Sequence, residues 1–255
     1  MPLPSDWSEL RRRRFPDVPE NCGHGSDPGV RDLPEFHDWS MRETTPDQQR
    51  IERYIAGFDL RTKRLLHIGV GNSKLARRFW RRAGEIVGTT NEANEACTPR
   101  NWRMPNYEIV LQNKYAWETK LTPGKFDFII DNNPASYCCC MFHLMALFEF
   151  YREKLAPGGQ IVTDQQGLSW VAPAGNPQFG MDFERLEEIA RIAGFSASKI
   201  NRNTYVLVNS DLSARPHWPR TFFGQIHWMT SLAYRKSASL ARSLNRRYWQ
   251  TSDKQ

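Results

Sequence analysis

The chain has 255 residues, of which 40% are hydrophobic and 12% aromatic, with 35 Lys and Arg against 28 Asp and Glu for a net charge of +7. That is ample material for a core and excludes a wholly disordered chain, while ordinary counts of 16 Gly and 16 Pro exclude collagen-like and low-complexity classes. No stretch approaches the roughly 18 apolar residues that span a bilayer, and the first residues lack the basic-then-apolar order of a secretory signal, so the expected compartment is the cytosol.

Residues 1–46 carry nine acids against six Arg and contain only short apolar pairs. They read as an irregular arm with Trp7, Phe15, Phe36 and Trp39 as anchors. A helix is expected over 48–56, opened by Pro46-Asp47 and stopped by Gly57. Residues 64–68 read as a short buried strand running straight into Gly69-Val70-Gly71-Asn72. Residues 73–83 follow as a helix, 85–89 as a strand and 92–97 as a short helix. Strands are expected over 107–111 and 126–131, then a helix over 136–155, broken by Pro157-Gly158-Gly159. A strand over 160–164, a helix over 183–193 and strands over 195–200 and 204–209 complete the pattern. The last two strands are separated by three residues, which allows a hairpin and an antiparallel edge.

Alternating strands and helices predict an α/β fold: a doubly wound, mostly parallel seven-stranded sheet with an antiparallel last strand and helices on both faces. The irregular N-terminal arm (1–46) precedes this Rossmann-like domain (47–210), and a basic helical extension (211–255) follows it. In the extension, Phe222, Ile226, Met229, Ala233, Leu240, Leu244 and Tyr248 recur at helical steps beside Arg235, Lys236, Arg242, Arg246 and Arg247. Such a helix suits docking onto the domain or a second copy of the chain, contact with an anionic substrate, or peripheral attachment to a membrane surface.

Five Cys, including the run Cys138-Cys139-Cys140, argue against a disulfide framework. On a helix, three consecutive Cys point about 100° apart and cannot converge on one ion. They read as small buried hydrophobes, and no metal site is expected.

In doubly wound sheets a ligand lies at the carboxyl ends of the strands, where the strand order reverses. The Gly69-Val70-Gly71 turn after the first strand lets a ligand approach bare main chain. It is neither a P-loop nor the longer dinucleotide turn, since Lys74 stands where that turn needs a small residue. The run from Leu65 to Ala76 resembles the first motif of class I S-adenosylmethionine-dependent methyltransferases. Residues 85–91, 125–131 and 155–161 resemble the later strands and turns of that family, so the likeness covers roughly 47–210.

The resemblance implies S-adenosylmethionine as cofactor and methyl transfer as the reaction. It places Gly69, Val70, Gly71, Asn72 and Ser73 in the turn under the methionine part of the cofactor, and counts His67, in the first strand where the family often has an acid, among the cofactor-binding residues. Thr90, Asn91 and Glu92 fall at the ribose, where the family typically has an acid, Asn113 and Lys114 near the adenine, and Asp131 and Asn132 beside the transferred group. A base helps when the acceptor is a hydroxyl, and Asp131, Tyr137 and His143 are the nearest candidates in the chain. The expected acceptor is a small molecule, with anionic or nucleotide-linked compounds in view, and nucleic acid is not expected. Two further readings stand beside this one: an enzyme of the same fold using a nucleoside for another reaction, and a non-catalytic binding module with a degenerate cofactor site.

Overall fold

The structure is a computed structural model of the whole chain and describes residues 5–22, 39–96, 102–115, 124–173 and 175–210. The chain divides into two compact units, Met1–Arg53 with Asp59–Pro216, and Tyr54–Phe58 with His217–Gln255. Of the second unit only Tyr54–Phe58 are described, and there the Tyr54 and Phe58 rings meet edge to face at 5.1 Å. The first unit holds the sheet.

Seven strands make one sheet: β1 (Arg64–Ile68), β2 (Glu85–Thr90), β3 (Tyr107–Leu111), β4 (Phe126–Asp131), β5 (Leu155–Asp164), β6 (Phe195–Lys199) and β7 (Thr204–Asn209). Their order is β3-β2-β1-β4-β5-β7-β6. The first five run parallel, and β7 runs antiparallel to both β5 and β6. Strands β1 and β4 are buried along nearly their whole length, which is why RLLHI and FDFIID read as almost continuous apolar runs.

Helices α1 (Ser5–Arg14), α2 (Pro46–Ile55), α3 (Lys74–Phe79), α4 (Ala93–Ala96), α5 (Met141–Lys154), α6 (Gln165–Ser169) and α7 (Phe183–Ile192) accompany the sheet. From β1 the chain steps outward through α3 to β2, and from β4 it steps the opposite way through α5 to β5. Right-handed crossovers in opposite directions place those helices on opposite faces. Helix α5 is buried on nearly every side, consistent with its apolar sequence all round.

The structure corrects three expectations. The N-terminal arm is not irregular throughout, because α1 packs Trp7 and Leu10, followed by Phe15 and Val18, into the main core. Phe15 lies 5.0 Å from the Phe179 ring, and Arg14 Nε donates to Glu188 of α7 at 2.9 Å. The helix expected over 136–155 starts only at Met141, and Cys138 to Cys140 are not helical. Pro157-Gly158-Gly159 does not delimit a strand. Gly158, at φ +72°, lets β5 pass through that point with a register shift against β4, as in a bulge. The expected anchor Phe36 and the C-terminal helix lie outside the described residues.

Candidate functional site

The strand order reverses between β1 and β4, and a cavity of about 410 Å³ opens at the carboxyl ends of these strands and of β2. The turn after β1 forms one wall. Gly69 N and Val70 N both donate to Thr89 O, at 2.9 and 3.1 Å, which fixes the turn to β2. Gly69 sits at φ +70°, and a Cβ added there would meet nothing within 4 Å, so its main chain is bare toward open space. Gly71 and Ser73 follow in the same left-handed region. Ser73 is turned into the core, its hydroxyl 2.8 Å from the Tyr107 hydroxyl.

The next wall comes from β2 and α4. Thr90 ends β2, and its hydroxyl donates a short hydrogen bond to the carboxylate of Glu95. The other Glu95 oxygen accepts from Trp39 N at 2.9 Å. One turn of helix therefore returns a buried acid to the place where the family resemblance calls for one. Glu92 N donates to Thr90 Oγ1 at 3.0 Å, which closes this loop.

Asp131 ends β4 and is almost wholly enclosed. Lys114 Nζ approaches its two oxygens at 3.1 and 3.2 Å, Tyr151 donates to Oδ2 at 2.7 Å, and Asn133 N donates to Oδ1 at 3.1 Å. Burial pulls the Lys114 ammonium down from its usual range, and Asp131 opposes that pull. Both carboxylate oxygens are thus already engaged, which suits Asp131 to positioning the 131–133 loop better than to taking a proton.

Beside it, Asn132 Nδ2 donates to Asp47 Oδ2 of α2 at 2.7 Å. Helix α2 is itself held by Arg50, whose guanidinium makes two hydrogen bonds of 2.7 and 2.8 Å to fully buried Asp164 at the end of β5. Asp47, Gln48 and Glu52 line the cavity from this helix. Burial pushes the Glu52 carboxyl above its ordinary range, against the pull of Arg78. His67 also faces the cavity, and desolvation drops its imidazole to about 4. Trp170 meets Trp39 and Tyr137 edge to face, at 6.4 and 6.3 Å.

Among the described residues, several buried polar atoms around this space have no hydrogen-bond partner, Asp47 Oδ1, His67 Nδ1, Gln112 Oε1 and Asn132 Oδ1 among them. Such atoms are rare in protein interiors, and their gathering around one cavity points to a polar ligand. The lining carries Glu43, Asp47, Glu52, Glu92, Glu95 and Asp131 against only Arg42 and Lys114. Lys74, Arg78 and Lys114 pair with Glu43, Glu52 and Asp131, so the acidity of the lining, in a chain of charge +7, rests on Asp47, Glu92 and Glu95.

Of the residues singled out from sequence, His67, Gly69, Val70, Gly71, Asn72, Thr90, Asn91, Glu92, Lys114, Asp131, Asn132 and Tyr137 line the cavity. Ser73, Asn113 and His143 are not among its lining. Asn113 Oδ1 instead accepts from Tyr115 N at 3.0 Å, and His143 is enclosed in α5 against cysteine sulfurs. Sequence reasoning missed Glu95, Asp47 and Glu52. The spacing of Asp47, Gln48 and Glu52 along one helix was a legible sign, whereas the return of Glu95 to Thr90 depends on a loop path.

No protein-family model and no curated protein matches the chain. Solved structures are similar to it. N-methyltransferase NodS from Bradyrhizobium japonicum is 12% identical, covering 62% of this chain and 90% of its own, with a TM-score of 0.46. A TehB-like SAM-dependent methyltransferase from Corynebacterium glutamicum is 14% identical, covering 63% and 86%, at 0.47. DesVI from Streptomyces venezuelae is 14% identical, covering 64% and 93%, at 0.49. The strand order with its reversed β7, and not these likenesses, carries the fold assignment: a Rossmann-like, doubly wound architecture.

Proposed function

We propose that the chain is an S-adenosylmethionine-dependent methyltransferase acting on a small molecule. The observation that carries this reading is the cavity at the strand-order reversal, where bare Gly69 main chain, unpaired polar atoms and an excess of acids surround one space. That chemistry fits a donor with a sulfonium and an ammonium, whose positive charges suit an acidic lining. The cofactor would supply an already activated methyl group.

The protein's part is placement, because methyl transfer is an in-line displacement whose rate depends on orientation. The Gly69–Asn72 turn would hold the methionine part, with Asp47 Oδ1 available to its ammonium. Glu95 and Thr90 would accept the ribose hydroxyls, so Glu95 takes over the role that the resemblance gives to the end of β2. Asp131 holds Lys114 and the loop carrying Asn132 in place beside the reacting centre. Tyr137 and Trp170 present aromatic faces that exclude water. The acid excess gives an anionic acceptor no support, so the acceptor in this reading is a small molecule without that restriction.

Calorimetric titration with S-adenosylmethionine and S-adenosylhomocysteine tests the reading. The native chain should bind both, and Gly69→Arg, which fills the open space, should bind neither while keeping its far-ultraviolet dichroism. Glu95→Gln should weaken binding by about tenfold, the equivalent of losing one charge-assisted hydrogen bond of roughly 1.5 kcal/mol. Binding of some other nucleoside alone would favour a different reaction on the same fold, and no nucleoside binding at all would leave a non-catalytic module.

A further inference from the structure

Away from the cavity, Cys22, Cys139, Cys140 and His143 bring one ligand atom each to within 4.8 Å of one another. His143 Nδ1 lies 3.2 Å from Cys139 Sγ, 3.2 Å from Cys140 Sγ and 3.5 Å from Cys22 Sγ. We propose that these four residues form a structural zinc site that staples the N-terminal arm to the start of α5.

The separations suit a closed tetrahedral site. With zinc–sulfur bonds of about 2.3 Å and zinc–nitrogen bonds of about 2.0–2.1 Å, the edges between ligand atoms come to roughly 3.5–3.8 Å. The observed nitrogen–sulfur separations lie within a few tenths of an ångström of that range. Three cysteines and one histidine are a recognised structural zinc set, and thiolate-rich tetrahedral sites select zinc over the harder cations. Four protein ligands leave no open position, so this ion would stabilise and would not catalyse. Binding would release the thiol protons of Cys22, Cys139 and Cys140 to solvent, since each sulfur coordinates as thiolate.

Local structure explains the convergence that helical spacing seemed to forbid. Cys140 is the N-cap of α5, at φ −156° and ψ 167°, so the run is extended and not helical. Cys138 turns into the core, with its sulfur 3.5 Å from Cys140 O. Cys139 and Cys140 are left on the side of His143, one turn into α5. Cys22 arrives from the arm by a backbone pairing: Met141 N donates to Pro19 O at 3.1 Å and Phe142 N to Glu20 O at 2.8 Å. Those are free N–H groups of the first turn of α5, which normally need a partner. The arm supplies it and is thereby held in the register that sets Cys22 over His143. The staple lies two residues beyond Tyr137, a wall of the cavity, and couples the arm to that wall.

The test uses the full chain, stripped with chelator under reductant and titrated with Zn²⁺, and with Co²⁺ as the spectroscopic probe. The expected result is one ion per chain, the visible absorption of tetrahedral Co²⁺ and a sulfur-to-cobalt charge-transfer band. Cys22→Ser and Cys139→Ser, both at half-buried positions, should lose stoichiometric binding while far-ultraviolet dichroism reports an intact fold. Cys138→Ser should keep both ion and band. Unchanged binding in Cys22→Ser would overturn the proposal, as would failure of the reduced native chain to take up either ion. A disulfide among Cys22, Cys139 and Cys140 in the freshly purified protein, found by mass spectrometry, would overturn it too.

Discussion

His67 stands in β1 near the middle of the sheet, where burial strips an imidazolium of its hydration. Desolvation therefore lowers its folded pKa to about 4, against about 6.5 in an unfolded chain. The unfolded state binds the extra proton first, so stability rises with pH between these values. Below about pH 6.5 the protein should begin to lose stability, with a total of about 3 kcal/mol gone once pH falls through 4. Urea titrations from pH 4 to 7 check this, because His67→Asn should flatten that part of the profile. Asp131 behaves differently, since its charge is matched by Lys114. Asp131→Asn would leave the ammonium buried without a counter-charge, at a cost of about 3 kcal/mol, and adding Lys114→Met should recover part of the loss in chemical denaturation. The position of Asp131 at the end of a central strand was legible in the sequence. Its engagement was not, because Lys114 and Tyr151 reach it from separate elements and no local pattern records that meeting.

At the scale of elements, apolar runs in the strands were the clearest signal, and β1, β3, β4 and β7 begin and end where their sequences say. Burial on both faces leaves such strands little room for another conformation. The arm was harder to read. Helix α1 is mostly charged, and only its packing of Trp7 and Leu10 against the core makes it a helix worth forming. Phe15, wholly buried beyond its end, tests whether the arm is part of the fold. Phe15→Ala should cost about 3–4 kcal/mol, visible as a lowered urea midpoint with an unchanged slope, whereas an arm lying loosely on the surface would give almost no change. The cysteine run was misread for a related reason. Apolar residues on both sides of it favoured a longer α5, but the helix yields at Cys140 to backbone pairing with the arm, a contact 122 residues distant in sequence.

The molecule as a whole is a sheet whose order reverses beside β1, and that reversal is what places a cavity over the glycine turn. Alternation of strands and helices made this architecture readable before any coordinates, because few topologies satisfy right-handed crossovers and short connections. The acidity of the cavity was not readable, since the basic total of the chain points the other way and the acids gather there from α2, α4 and β4. The most direct test of the central claim is a crystal structure grown with S-adenosylhomocysteine. The account predicts the methionine part along Gly69 to Asn72 and the ribose hydroxyls within hydrogen-bond distance of Glu95. A nucleoside bound elsewhere, or a cavity closed by Trp39 and Trp170 with no ligand inside, would contradict it.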